Sequence, residues 1–156
     1  MEEVVAGAPA RGTRSALIVY VDSSVLLRVV LGEPDRLREW RRIVHPVSSE
    51  LIRVECLRTI DRARLRLSLS DAAVARSREG VLEHLDAFEL VRLDDVVLAR
   101  AADPFPTQLG SLDALHLATA ILLRPTYDEL QLATHDAELG TAARAVGFRV
   151  LGSARP

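Results

Sequence analysis

The chain has 156 residues, 49% of them apolar, and its 20 basic residues face 22 aspartates and glutamates, for a formal net charge of −2. This length predicts one domain with a substantial core, and the charge argues against binding nucleic acid through a bulk positive field. Every basic residue is arginine, and the sequence contains neither lysine nor asparagine. A Walker-type phosphate loop, Schiff-base chemistry and a lysine base for acyl transfer are therefore excluded.

The single cysteine and the first residues bear on where the protein resides. Cys56 cannot form an internal disulfide, which favours a reducing, cytoplasmic location. The chain begins Met1-Glu2-Glu3, which is the wrong charge for a signal peptide, and no apolar run approaches ~18 residues. We therefore expect a cytoplasmic protein that does not contact a membrane.

Short apolar runs alternate with amphipathic stretches along most of the chain. Residues 1–16 show no period and are interpreted as an N-terminal arm or upstream extension, 17–151 as a single domain, and 152–156 as a C-terminal tail. Strands are predicted at 17–21, 46–48, 88–93, 129–133 and 148–151. Helices are predicted at about 24–31, 33–43, 50–65, 71–85, 95–103, 112–123 and 137–146. This alternation predicts an α/β fold, a three-layer sandwich around a five-stranded, mainly parallel sheet.

Aspartates follow two of the predicted strands. Asp22 follows the first strand and Asp136 the fourth, and ligands of open parallel sheets bind beyond the carboxyl ends of strands where the strand order reverses. The two carboxylates converge if these strands are neighbours, and Asp113, near the start of an apolar helix, can reach the same face. All three also lie at or next to helix N-termini, where capping and the helix dipole favour aspartate. Capping and chemistry both stay open for each of them.

Glu55 is the acidic residue that capping cannot explain. It lies in the middle of a predicted helix, on the same apolar stripe as Leu51 and Cys56. A carboxylate on a core-facing stripe is costly unless it is neutralised, paired or bound to a metal ion. The alternatives are an ion pair with an arginine such as Arg28 or Arg58, and a metal-linked role, which we favour.

Acidic side chains gathered in one cleft favour a metal site. Their carboxylates repel one another, which raises their pKa values unless a cation balances them. An all-oxygen set without a Cys or His cluster suits a hard divalent ion, Mg²⁺ or Mn²⁺. Such an ion neutralises a phosphodiester, lowers the pKa of a bound water and orients in-line attack. We therefore predict a metal-dependent nuclease centre formed by Asp22, Glu55, Asp113 and Asp136.

Other candidate residues have simpler interpretations. His116, three residues after Asp113, is interpreted as packed or facing phosphate, since a soft-metal site needs more nitrogen or sulfur ligands. Cys56 is interpreted as a buried structural thiol. A basic patch on the predicted second helix is either a phosphate contact or a solvated face. Its members are Arg36, Arg38, Arg41 and Arg42.

Four motifs, in order and spacing, resemble those of the PIN domain family. They are residues 19–24 (VYVDSS), 49–55 (SELIRVE), 112–120 (LDALHLATA) and 132–136 (LATHD). The third motif is the most specific, and the resemblance runs from about residue 17 to residue 151, nearly the whole chain.

The resemblance implies a toxin of the VapC type, which is a ribonuclease that cuts structured RNA at selected sites with Mg²⁺ or Mn²⁺. It also implies a homodimer that a small VapB-type antitoxin holds inactive. Carried over by position, it makes Asp22 and Asp113 the principal metal ligands, with Asp136 completing the acidic pocket. Glu55 then positions water or a second ion. The resemblance also implies a hydroxyl contact to these acids from Ser24 or Thr134.

Two other functions stay open beside the toxin, and a third is excluded. One is a non-catalytic PIN-like module that binds RNA or a protein partner, which the complete set of four acids disfavours. The other is a housekeeping RNA-processing nuclease. Phosphotransfer domains that also place an aspartate after the first strand generally need a lysine near the site, and this chain has none.

Overall fold

The apolar run LIVYV forms the central strand of the sheet. In the computed structural model, which describes residues 16–154, this run is β1 (Leu17–Val21). Its side chains alternate between two hydrophobic cores, with Val19 and Val21 in one and Tyr20 in the other. β1 is therefore buried on both faces, as a continuous apolar run in a parallel sheet requires.

Four further strands complete a parallel sheet. They are β2 (Ile43–Ser49), β3 (Glu89–Val91), β4 (Gln131–Ala133) and β5 (Val150–Leu151). The strand order is β3-β2-β1-β4-β5, and every neighbouring pair is parallel. The predicted five-stranded sheet is confirmed, and its strand order reverses between β1 and β4.

Helices cover both faces of the sheet. The α-helices of the described residues are α1 (Ser23–Val30), α2 (Leu51–Leu67), α3 (Asp71–Asp86), α4 (Asp95–Ala102), α5 (Ser111–Leu123) and α6 (Ala137–Ala145). Leu26, Ile52 and Val81 bring α1, α2 and α3 into one core, while Leu117 and Leu139 bring α5 and α6 into the other. This arrangement confirms the three-layer α/β sandwich. Within residues 16–154, no helix is both long enough and apolar enough to span a membrane.

The helix predicted at 33–43 is wrong. The segment contains only a short 3₁₀ turn at Trp40–Arg42, and Ile43 is already the first residue of β2, paired with Leu17 of β1. Leu37 is buried in the core and anchors the connecting loop. A continuous helix through residue 43 is incompatible with this strand pairing, so the tertiary contacts override the local helical spacing.

The division of the chain into an arm, a domain and a tail stays a prediction. Residues 1–15 of the predicted N-terminal arm lie outside the described residues, as do residues 155 and 156 of the predicted tail. Between them, the elements extend from Leu17 to Leu151.

Candidate metal centre

Asp22 lies at the point where the strand order reverses. Its main-chain N–H donates to the Ala133 carbonyl at 3.0 Å, which joins the end of β1 to the end of β4. The side chain caps α1 and is almost fully buried, with 3% exposure. Its position therefore follows from the neighbouring strands, as the sequence predicts for a switch-point ligand.

Two hydroxyl groups fix the orientation of the Asp22 carboxylate. Oδ2 accepts a hydrogen bond from Ser24 Oγ at 2.6 Å and another from Thr134 Oγ1 at 2.9 Å. Thr134 Oγ1 in turn accepts the main-chain N–H of Asp136 at 2.9 Å. Both hydroxyls implied by the family resemblance thus contact this carboxylate directly.

Glu55 projects from the middle of α2 toward the same region. Its side chain is 17% exposed, and Oε1 lies 2.5 Å from Nε2 of His116. The arginine partner considered for Glu55 is not observed, because Arg58 pairs with Asp61 and Arg28 pairs with acidic residues of the α1–β2 loop. A buried histidine, not an arginine, is the partner of this carboxylate.

His116 of α5 is fully buried and is held at both ring nitrogens. Nδ1 lies 2.8 Å from the Tyr20 hydroxyl oxygen, which also accepts the Ser49 main-chain N–H at 3.2 Å. Nε2 contacts Glu55 and lies 3.6 Å from Asp22 Oδ1. The ring is therefore packed, and it links the buried strand β1 to the acidic cluster.

The charge of the His116 ring depends on opposing influences. Burial lowers its pKa, but the Tyr20 oxygen, the hydrogen bond with Glu55, and the negative charges of Asp22 and Glu55 raise the pKa of His116 to about 10. The neighbouring acids thus favour the charged form of the ring, which opposes the effect of burial.

Asp113 and Asp136 add two carboxylates to this region. Burial raises the pKa of Asp113 to about 6, together with the negative charges of Asp136, Asp22 and Glu55, while His116 acts in the opposite direction. Asp136 is exposed and caps α6, with Oδ1 accepting the Leu139 N–H at 2.9 Å. The four predicted acids thus share one electrostatic environment, although two of them also act as helix caps.

The tightest group of possible ligand atoms differs from the predicted metal set. Oxygens of Asp22 and Glu55 and a nitrogen of His116 all lie within 4.8 Å of one another. The sequence analysis predicted Asp22, Asp113 and Asp136 as ligands and interpreted His116 as packed or facing phosphate. The spacing between Asp113 and His116 was the only sequence signal for the histidine, because no pattern marks Tyr20 as its partner.

The donor set suits a hard divalent cation. Four carboxylates act on one another here, and burial, followed by the negative charges of Asp136, Asp22 and Glu55, raises the pKa of Asp113. Carboxylate oxygens are the ligands that Mg²⁺ and Mn²⁺ prefer. The chemistry of the residues therefore fits a divalent metal ion.

Cys56 has no catalytic character despite lying next to Glu55. The thiol is fully buried, and burial raises its pKa far above the usual value, with the charges of Glu55 and Asp22 acting in the same direction. A neutral, buried thiol is a poor nucleophile. The interpretation of Cys56 as a structural residue is confirmed.

Comparison with known proteins places this chain in one family. The chain belongs to the PIN domain family, whose model matches residues 19–145. It is 38% identical over 136 residues to Ribonuclease VapC46 of Mycobacterium tuberculosis, a match that covers 85% of this chain and 95% of the relative. Ribonuclease VapC35 of the same species is 34% identical over 149 residues, covering 88% of this chain and all of the relative. The resemblance to VapC-type PIN proteins is confirmed.

A solved structure shares the same fold. The crystal structure of VapBC2 from Rickettsia felis, bound to a DNA fragment from their promoter, contains a chain that superposes with a TM-score of 0.62. The match covers 86% of this chain and 99% of that chain, at 10% identity. The architecture is therefore shared although few residues are identical.

Proposed function

We propose that the protein is the ribonuclease toxin of a toxin–antitoxin pair and hydrolyses phosphodiester bonds in RNA with Mg²⁺ or Mn²⁺. The observation that carries this proposal is the group at the switch point of the sheet, where oxygens of Asp22 and Glu55 and a nitrogen of His116 lie within 4.8 Å of one another. The names of Ribonuclease VapC46 and VapC35 support RNA as the substrate. The VapBC2 complex supports a small antitoxin of the VapB type as the partner.

In this proposal, Asp22, Asp113 and Asp136 hold the cation. When bound, the ion supplies charge neutralisation at the phosphate and activates a water for in-line attack. Asp22 is pre-oriented for binding because Ser24 and Thr134 fix its Oδ2. This leaves Oδ1, which has only longer contacts, at 3.4 Å to Ser23 Oγ and 3.6 Å to His116 Nε2, as the freer ligand atom.

Glu55 orients the attacking water in this mechanism, and His116 is its positioning residue. His116 Nε2 engages Oε1 of Glu55, and in this mechanism Oε2 is the oxygen that contacts the water. Tyr20 fixes the ring from the other side through Nδ1. The carboxylate is therefore held in one orientation before substrate arrives, which is the kind of preorganisation that catalysis requires.

The homodimer implied by the family resemblance belongs to this proposal. Light scattering on the purified protein tests it, and a particle of twice the chain mass is expected. A particle of the single-chain mass at all concentrations tested would rule it out.

RNA cleavage by the purified protein tests the proposed function. Cleavage is expected with Mg²⁺ or Mn²⁺, and a chelator should abolish it. Asp22→Asn and Glu55→Gln should each lower the rate by about 100-fold or more, because they remove a metal ligand and the group that orients water. Asp94→Asn is the matched control, since Asp94 caps α4 and takes no part in the proposed site.

Cleavage that survives both the chelator and the two site variants would refute the metal-nuclease proposal. Growth provides the readout for the toxin: expression of the wild type should stop bacterial growth, and Asp113→Asn should relieve the arrest. Circular dichroism on the variant confirms that its fold is intact. A folded Asp113→Asn protein that still arrests growth would separate toxicity from the site.

A further inference from the structure

The loop between α1 and β2 forms one wall of a cleft beside the acidic centre. Residues 34–39 line a cleft of about 560 Å³, together with His135 and Gly152 from the ends of β4 and β5. The main-chain N–H of His135 donates to Ser24 Oγ at 2.9 Å, and this same hydroxyl donates to Asp22 Oδ2. The cleft therefore begins one side chain away from the centre that holds Asp22.

A buried leucine fixes the loop and leaves its neighbours exposed. Leu37 is only 4% exposed and belongs to the core beneath α1, α2 and α3. Arg36 and Arg38, on either side of it in sequence, are both exposed and both line the cleft. The core contact of Leu37 thus fixes the main chain from which the two exposed arginines project.

The acidic residues of the loop do not neutralise these two arginines. Arg28 of α1 forms ion pairs with Glu33 and Asp35. Neither Arg36 nor Arg38 has an ion-pair partner among residues 16–154. Two arginines without ion pairs therefore line the cleft. Its acidic lining residues are Asp35, which is paired with Arg28, and Glu39.

We propose that this cleft, which we call the arginine cleft, binds the RNA strand next to the scissile bond, with Arg36 and Arg38 contacting backbone phosphates. The inference rests on the proposed function and names the surface that this function uses. A guanidinium group can hold a phosphate through two parallel hydrogen bonds, which a compact cation cannot do.

The charge of the whole molecule makes a local contact of this kind necessary. With a formal net charge of −2 and a cluster of acids at its centre, the protein cannot attract RNA through its overall field. A strand whose phosphodiester occupies the acidic centre must continue along an adjacent surface. The arginine cleft is such a surface, and its unpaired positive charges complement the phosphate backbone.

The flat ring of His135 completes the wall of the arginine cleft nearest the centre. Its Nδ1 lies 3.0 Å from the Gly152 carbonyl oxygen, which fixes the ring plane. Gly152 has a φ of +86°, and a Cβ at this position would lie 3.3 Å from the ring and 2.8 Å from the Thr134 carbonyl oxygen. Glycine at this position is what allows His135 to lie against the end of β5.

RNA binding without cleavage tests the arginine cleft. The probe is a fluorescent single-stranded RNA of mixed sequence, titrated in the Asp22→Asn background so that no strand is cut. Adding Arg36→Ala and Arg38→Ala removes two phosphate contacts, and each contact contributes ~0.7 to the slope of log affinity against log salt concentration. With parent and variant of equal affinity at about 1 M salt, the variant should bind about 25-fold more weakly at 0.1 M salt. The slope itself should fall by ~1.4.

A matched pair on another surface provides the control. Arg76→Ala and Arg78→Ala, in the same background, remove two exposed arginines of α3 that also lack ion pairs among the described residues. This control should bind RNA like the parent. Equal affinity and equal salt slope for the two double variants would overturn the proposal.

The outcome for the arginine cleft is distinguishable from the outcome for the proposed function. If the wild type cleaves RNA in a metal-dependent manner but the Arg36 and Arg38 substitutions leave binding unchanged, the nuclease stands and the cleft proposal fails. An acidic protein segment would then be the better occupant of the cleft. If the wild type neither binds nor cleaves RNA, both proposals fail.

Discussion

At the residue scale, each central carboxylate has its own fixed neighbours. Asp22 is held by Ser24 and Thr134, and Glu55 is held by His116. The sequence identified Glu55 because a carboxylate on an apolar stripe needs a partner or an ion. It could not identify His116 as that partner, since the two residues are 61 positions apart and meet only after α2 and α5 pack at the sheet.

Substitutions at His116 separate positioning from packing. His116→Gln places an amide nitrogen near the original Nε2 and should retain most of the RNA cleavage rate. His116→Asn is too short to reach Glu55 and should lower kcat about tenfold or more, with KM changed by less than about twofold, because substrate contacts are intact.

Both variants lose the buried ring, so their melting temperatures are compared first. Equal melting temperatures mean that a difference in kcat does not come from a difference in folding. A merely structural His116 would give equal kcat values for the two variants. That result, at equal stability, would contradict the positioning role.

At the scale of secondary-structure elements, the capping residues were predictable and one helix was not. Ser70 and Asp94 accept hydrogen bonds from the first turns of α3 and α4, as their sequence positions indicate. The stretch from Leu37 to Ile43 has helical spacing, but its first residue anchors a loop and its last begins β2. Local spacing cannot reveal that the sheet requires Ile43, because its partner strand lies far away in the sequence.

A substitution at Asp136 can separate its role as the cap of α6 from its proposed role as a metal ligand. Asp136→Ser keeps a side-chain cap at the start of α6 but removes the carboxylate, so stability should change by less than about 0.5 kcal/mol. The cleavage rate should nevertheless fall about tenfold or more if the carboxylate contributes to the metal site.

Asp94→Ser makes the same chemical change at the cap of α4. It should match Asp136→Ser in thermal stability and the wild type in cleavage rate. Full activity in Asp136→Ser would show that this aspartate acts only as a helix cap.

At the scale of the whole molecule, the alternation of strands and helices was enough to predict the architecture but not the strand order. The order depends on which apolar runs pair across the sheet, and it is the adjacency of β1 and β4 that brings Asp22 toward Asp136. The sequence therefore predicted the convergence only on the condition that these strands are neighbours. The structure satisfies that condition.

A polar cluster also ties distant parts of the molecule together. Tyr127, in the loop before β4, donates its hydroxyl to Glu89 of β3 at 2.5 Å, and His45 of β2 contacts the same carboxylate at 2.7 Å. These hydrogen bonds from Tyr127 and His45 lower the pKa of Glu89 below its ordinary value of 4.5.

The Glu89 cluster predicts a pH-dependent effect of Tyr127→Phe. A lowered folded-state pKa means that the contribution of Glu89 to stability is present above pH 4.5 and is lost as the pH falls through that lower value. Because the site is exposed, the substitution should lower Tm by only about 1 to 3 °C at pH 7 and by less at pH 3. A difference in Tm that grows as the pH falls would contradict this linkage.

Binding of the metal alone tests whether the switch-point carboxylates form a divalent cation site. Isothermal titration with Mn²⁺ compares the wild type with Asp22→Asn, Asp113→Asn and the control Asp94→Asn. Mn²⁺ should bind the wild type and the control with the same affinity, and the two site variants should bind at least about tenfold more weakly. The same Mn²⁺ affinity in all four proteins, or no binding to the wild type, would contradict the account.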